Sequence, residues 1–260
     1  MLKAIFFDLD DTLLWDEKSI RISLQETCLY AESQSNIKAN ELFEMVRKVA
    51  PQLYAEYDTY HFTKNIGINP FEGLWGTFSD YEPGFKQLKE VVEDYQLRVW
   101  SVSLAKLGII DDALSHQLRE QFIKSRLANP FLFDETITVL NELKNHYKLL
   151  LITNGAPSLQ YTKLQLTPEL SRYFQDIVIS GSIGAGKPDS IIFEHAIKKA
   201  GVRKEEICMV GDNLLTDIKG ANAIGIKSVW INHHQKQQAD HQPTYEVKRL
   251  QDILPVIEYM

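Results

Sequence analysis

The chain is short of thiols, of excess positive charge and of long apolar runs, and each shortage removes a class of function. Its 260 residues hold only two cysteines, Cys28 and Cys208, far apart and without metal-ligand spacing. That argues against a disulfide framework and suits small packed side chains in a reducing, cytoplasmic setting. Twenty-eight lysines and arginines face 35 acids, a formal net charge of −7. Nucleic acid and anionic membrane are therefore not the expected partners, although a local field in a cleft can still attract a small anion. No apolar run approaches the roughly 20 residues a membrane span needs, and the first residues open a strand pattern without a basic leader region. Repeats and long low-complexity tracts are missing too. The nearest is the run 233–238, read as a solvated loop because nothing spaces its two histidines as ligands.

What is present is 44% hydrophobic and 24% charged, ordinary for a globular protein long enough for one large domain or a core with a smaller module. Five continuous apolar runs, at 3–9, 148–153, 176–180, 207–211 and 228–232, read as buried parallel strands. Helical spacing separates them: Ile137, Leu140 and Leu143 within 134–146, Ile191, Ile192, Phe193, Ala196, Ile197 and Ala200 within 190–200, and a further stretch at 217–223. This alternation predicts an α/β fold, a doubly wound (Rossmann-like) parallel sheet. Between residues 15 and 129 the texture changes to amphipathic stretches at 19–32, 39–56 and 105–128, punctuated by Pro51, Gly67, Pro70, Gly73, Gly76, Pro83 and Gly84. The expected division is an α/β core of residues 1–14 and 130–260 with an inserted helical domain, 15–129. The insertion leaves the sheet right after its first strand, so it is expected over the strand tips, where open α/β sheets bind ligands.

Four polar clusters follow the predicted strands. The first is Asp8-Leu9-Asp10-Asp11-Thr12, directly after Ala4-Ile5-Phe6-Phe7. Side chains alternate along a strand, so Asp8 and Asp10 share a face if strand geometry persists that far. Two such acids repel, and a divalent cation is the usual remedy. The others are Thr153-Asn154-Gly155, Gly186-Lys187-Pro188, and Gly211-Asp212-Asn213 with Asp217 five residues beyond Asp212. Singly, each has an ordinary explanation as a turn, a helix cap or a surface charge. All four fall at or just after C-terminal strand ends, so they converge on one cleft. Asp8, Asp212 and Asp217 offer hard oxygen ligands suited to Mg²⁺, Thr153 a hydroxyl, the amides around Asn154 and Gly155 donors to an anion, and Lys187 a positive charge. That is the equipment of phosphoryl transfer.

The set Asp8-x-Asp10-x-Thr12, Thr153-Asn154, Lys187-Pro188 and Gly211-Asp212…Asp217 resembles the four motifs of the haloacid dehalogenase-like (HAD) hydrolase superfamily, and the insertion resembles that family's helical C1 cap. The resemblance implies Asp8 as nucleophile, forming an aspartyl-phosphate. It implies Asp10 as the acid that protonates the leaving alcohol and then the base that activates water. Mg²⁺ would be held by Asp8, the backbone carbonyl of Asp10 and Asp212, with Asp217 binding a metal water or orienting Lys187. Thr153, the Asn154 amide and Lys187 would bind the phosphoryl group, with Thr12 in a supporting part; Asp11 is read apart from the resemblance, as capping the turn out of the strand. The family also contains C–Cl hydrolases and phosphomutases. Dehalogenation needs neither the acid at position 10 nor the metal, so the resemblance points to a Mg²⁺-dependent phosphatase acting on a small phosphorylated metabolite. Phosphoserine, nucleoside monophosphates and sugar phosphates are the candidate substrates. A non-catalytic binding protein would be expected to lack at least one of these groups, and none is missing.

Overall fold

The computed structural model describes residues 1–235, 237 and 241–260. Among these, one sheet of six strands is formed by β1 (Ala4–Phe7), β2 (Lys148–Thr153), β3 (Asp176–Ile179), β4 (Ile207–Gly211), β5 (Lys227–Ile231) and β6 (Tyr245–Val247). Every pairing is parallel, in the order β3-β2-β1-β4-β5-β6. The chain winds outward one way through β2 and β3 and the other way through β4, β5 and β6. The order therefore reverses between β1 and β4, the kind of switch point at which a crevice opens at the carboxyl ends of strands. The five apolar runs correspond to β1–β5. β6 was not anticipated, because three residues with an exposed Glu246 carry no apolar run.

The chain divides into two compact units, Met1–Trp15 with Phe131–Met260, and Asp16–Pro130. The second unit is helical: α1 (Asp16–Gln34), α2 (Ala39–Tyr54), α3 (Tyr60–Ile66), α4 (Pro70–Gly73), α5 (Phe85–Lys106) and α6 (Asp112–Ala128). The stretch expected at 105–128 is not one helix. Gly108 takes a left-handed φ of +84° and ends α5, while the Asp111 carboxylate accepts from Leu114 N at 2.8 Å and starts α6. Within this unit Arg126 lies buried, donating to Asp16 Oδ1 at 2.7 Å and stacking 4.7 Å over the Trp75 ring. Trp15 lies with the first unit, stacked on Phe133 at 5.1 Å.

The helices of the first unit are α7 (Thr136–Leu143), α8 (Pro157–Leu166), α9 (Pro168–Ser171), α10 (Ser180–Ile183), α11 (Ser190–Ala200), α12 (Lys219–Ile224) and α13 (Ile253–Tyr259). They cover both faces of the sheet, as near-continuous apolar strands require. On one face Ala4, Phe6, Leu150, Ile152, Ile207 and Met209 pack against Ile192, Phe193 and Ala196 of α11 and Ala221 of α12. On the other, Ile5, Phe7, Leu149, Leu151, Cys208 and Val210 pack against Val139 and Leu140 of α7 and Ile253 and Ile257 of α13. Cys28 and Cys208 are buried free thiols. Among the described residues no helix is long and apolar enough to cross a membrane.

Candidate active site

β1 ends at Phe7, and the chain turns immediately after delivering Asp8. Leu13 N and Leu14 N both donate to Leu9 O at 2.9 Å, Asp11 N donates to Leu14 O at 2.6 Å, and Asp11 is held at a left-handed φ of +57°. Strand alternation therefore does not reach Asp10. The two carboxylates find separate partners, Asp8 on Lys187 and Asp10 on α8, and the strand stops two residues short of the Leu9 end expected for it, with a turn over residues 11–13.

Asp8 is buried, and its Oδ1 accepts from Lys187 Nζ at 2.6 Å. The same ammonium lies 2.7 Å from Asp217 Oδ1, so one buried lysine joins two buried carboxylates. Asp217 reaches this position because its helix begins with a wide turn, in which both Asp217 N and Ile218 N donate to Asn213 O. Asn213 N in turn donates to Asp217 Oδ2 at 3.1 Å. The buried Thr12 hydroxyl ties the first and fourth clusters together, donating to Asp8 Oδ2 at 3.4 Å while accepting from Asp212 N at 3.1 Å.

The Asn154 side chain brackets the backbone of Lys187, donating to its carbonyl at 2.9 Å and accepting from its amide at 2.7 Å. Asn154 thus fixes the lysine backbone through its side chain. Gly155 N, one of the amides expected to face an anion, donates to Ser180 Oγ at 2.8 Å. Two residues of this region were missed by the sequence reading. Gln160 Nε2 donates to Thr153 Oγ1 at 2.7 Å and to Asp10 Oδ2 at 2.9 Å, and Lys163 Nζ donates to Asp10 Oδ1 at 2.8 Å. The available signal was their polarity: a glutamine and a lysine three apart on the helix after Thr153-Asn154, both buried.

The histidine run is not simply solvated. The His233 ring stacks on Phe133 at 4.5 Å and its Nε2 lies 3.1 Å from the Asp11 carbonyl oxygen, while burial lowers its pKa. Lys236 and Gln238 of that run lie outside the described residues.

The donor set fits a divalent cation. Oxygens of Asp8, Asp212 and Asp217 all lie within 4.8 Å of one another. Lys187 balances only part of that charge, and burial is the first reason that Asp8 is pushed up to about 6, against Lys187 and reinforced by Asp217. Asp212 is raised well above the carboxylate range, by burial first and then by Asp217, Asp8 and Asp11. Burial would lower Lys187, but Asp217 and Asp8 outweigh it and hold the lysine firmly protonated. Excess negative charge on hard oxygens in a cleft is what Mg²⁺ relieves.

The comparisons with known proteins show the family and the fold. The family model for haloacid dehalogenase-like hydrolases matches residues 2–225. A phosphoserine phosphatase of Thermus thermophilus is 33% identical over 232 residues, covering 89% of this chain and 89% of the relative. A pyrimidine 5'-nucleotidase of Escherichia coli is 33% identical over 206 residues, 72% of this chain and 90% of the relative. Among solved structures, the magnesium-bound HAD-hydrolase YfnB of Bacillus subtilis superposes with a TM-score of 0.64 at 23% identity, covering 98% of each chain. A 2-haloacid dehalogenase of Pseudomonas syringae gives 0.61 at 24% identity, over 100% of this chain and 99% of that one. At those identities the structures speak for the fold. With a family model spanning most of its length and relatives one-third identical, this chain belongs to the haloacid dehalogenase-like hydrolases.

Proposed function

We propose that the chain is a Mg²⁺-dependent phosphatase that hydrolyses small-molecule phosphate monoesters through an aspartyl-phosphate on Asp8. The observation that carries this reading is the unequal holding of its two acids. Asp8 is buried against Lys187, whereas the half-buried Asp10 is held by Gln160 and Lys163. Paired carboxylates with different environments are the mark of divided nucleophile and acid–base roles.

In this reading a carboxylate oxygen of Asp8 attacks phosphorus, and the bond from phosphorus to the ester oxygen breaks. Asp10 gives its proton to that departing oxygen, then takes one from the water that attacks the phospho-aspartate. Phosphate leaves and the Asp8 carboxylate is restored. Lys187, oriented by Asp217 and Asn154, offsets charge at the reacting oxygens, and Thr153 with the Asn154 backbone amide holds the phosphoryl oxygens. Mg²⁺ held by Asp8, the Asp10 backbone carbonyl and Asp212 would supply further neutralisation of phosphoryl charge.

The alternative of C–Cl hydrolysis draws on structural neighbours that speak for fold alone, and it leaves Asp10 and Asp212 without a part. The helical unit, Asp16–Pro130, is read as a C1-type cap that selects the substrate. The named relatives act on phosphoserine and on pyrimidine nucleotides, so the substrate class supported here is a small phosphorylated metabolite. Buried free thiols support a cytoplasmic setting.

The test is release of inorganic phosphate, with Mg²⁺, from p-nitrophenyl phosphate, acetyl phosphate, phosphoserine, nucleoside monophosphates and sugar phosphates. Wild type is expected to release phosphate and Asp8→Asn is not. Equal inertness of the two proteins across the panel would overturn the reading, and net phosphate release separates hydrolysis from phosphomutase transfer.

A further inference from the structure

Gln160 and Lys163 stand three residues apart on α8, facing inward with 0% and 4% exposure. A buried lysine is costly unless it is paired and hydrogen-bonded, and one that merely stabilised the core would be replaceable by an apolar residue. The partner here is Asp10. Each of its carboxylate oxygens accepts one of these donors, Oδ1 from Lys163 at 2.8 Å and Oδ2 from Gln160 at 2.9 Å. Gln160 also donates to Thr153 Oγ1 at 2.7 Å, so one amide links the carboxylate of the first cluster to the hydroxyl of the second. The backbone is shaped for this approach. Gly155 has a φ of +139°, and a Cβ there would stand 3.0 Å from Gln160 Cδ.

We infer that Gln160 and Lys163 are positioning residues, a two-point clamp that orients the Asp10 carboxyl toward the ester oxygen and fixes its distance from Thr153. The inference rests on the phosphatase reading above. A carboxyl on a turn outside the strand has no sheet register to aim it, so its aim comes from side-chain partners, and an acid acts only when it is within hydrogen-bond reach of the departing oxygen.

The experiment compares kcat/KM for p-nitrophenyl phosphate and phenyl phosphate, two esters of like shape, in wild type, Lys163→Met, Gln160→Met and Lys163→Arg, with Mg²⁺. Phenol is much the poorer leaving group and depends more on a well-aimed acid. Lys163→Met and Gln160→Met should each lose at least about tenfold more on phenyl phosphate than on p-nitrophenyl phosphate, part of the roughly 10²–10⁴ an acid supplies. Lys163→Arg, which keeps a charged donor, should recover part of that difference. Gln160 carries no charge, so a loss in the stated direction from Gln160→Met reports position and not charge. The ratio of the two esters is also unchanged by partial misfolding, which lowers both rates alike. Equal losses on both esters, or none, would overturn the clamp and leave the phosphatase reading standing. Wild type inert on both esters would overturn the two together.

Discussion

Gly211 and Asp217 approach so closely that a Cβ on the glycine would stand 2.3 Å from Asp217 Oδ2. The last residue of β4 is thus without a side chain because the carboxylate that orients Lys187 occupies the space one would need. Gly211→Ala must push Asp217 away from Lys187 and from Asn213 N, now 2.7 Å and 3.1 Å distant. Groups that orient the residues of a charged site are worth about 10–100-fold in activity or metal affinity. Gly211→Ala is expected to lose that much kcat/KM on p-nitrophenyl phosphate, with Mg²⁺ affinity weakened in the same titration.

Lys187 binds two buried carboxylates at once, so its removal should be felt in stability as well as rate. Lys187→Ala leaves Asp8 and Asp217 buried without their cation, a change that costs about 3–5 kcal/mol in comparable pairs. In that background Asp217→Asn removes one of the stranded charges, and it should cost at least about 1 kcal/mol less than in wild type. Urea unfolding of the four proteins without divalent cation measures the coupling. Additive effects would mean that the two side chains do not act as a pair.

The fold was legible because β1, β2, β4 and β5 are buried along nearly their whole length. The runs 148–153 and 207–211, with unbroken apolar stretches at 149–152 and 207–210, match β2 and β4 end to end. β6, with an exposed glutamate at its centre, left no such trace. The candidate site was legible where chemistry follows a strand end directly, as at Asp8, Thr153 and Asp212. It was not legible where a helix interior supplies the group. Gln160 and Lys163 belong to the interior of α8, among residues whose polarity ordinarily marks a solvent face, and it is their contacts with Asp10 and Thr153 that give them a part. The wide turn at Leu214–Ile218 was equally invisible, since its form depends on two amides sharing the Asn213 carbonyl.

The helical unit carries its own test of folding energetics. Arg126 and Asp16 are joined by a 2.7 Å ion pair, and both are buried beside Ser19. Asp16→Ala strands the guanidinium under the Trp75 ring and should destabilise the protein by about 3–5 kcal/mol, whereas replacing both residues together with apolar ones of similar volume should cost far less. Denaturant unfolding of single and double variants distinguishes an ion pair that stabilises from one whose breakage alone is harmful.

Mg²⁺ should matter more to stability as pH rises. The folded Asp8 carboxyl holds its proton up to about 6 because of burial, while an unfolded aspartate holds it only to about 3.9. The folded state therefore binds more protons in that window, and this contribution is complete below about pH 4 and lost as pH climbs through 6. Asp212, also raised, acts in the same sense. Metal-free protein should lose thermal stability between pH 5 and 7. Millimolar Mg²⁺ should restore it, by an increment of several degrees at pH 7.5 and little at pH 5. Asp8→Asn should flatten much of the metal-free pH dependence. A Mg²⁺ increment that does not grow with pH would contradict a cation seated among these carboxylates.

Asp10→Asn separates the two chemical steps. Asparagine keeps an oxygen to accept from Lys163 or Gln160 but has no proton to give and no basic carboxylate to take one. With p-nitrophenyl phosphate the first step needs little acid, so the burst of nitrophenol should survive. Hydrolysis of the phospho-aspartate still needs the base, and turnover should fall by about 10²–10⁴. Acid-quenched protein should then carry phosphate on Asp8 to near one equivalent under saturating substrate, where wild type carries much less. Normal turnover on phenyl phosphate by Asp10→Asn would remove Asp10 from the acid–base role and return that role to water or another group.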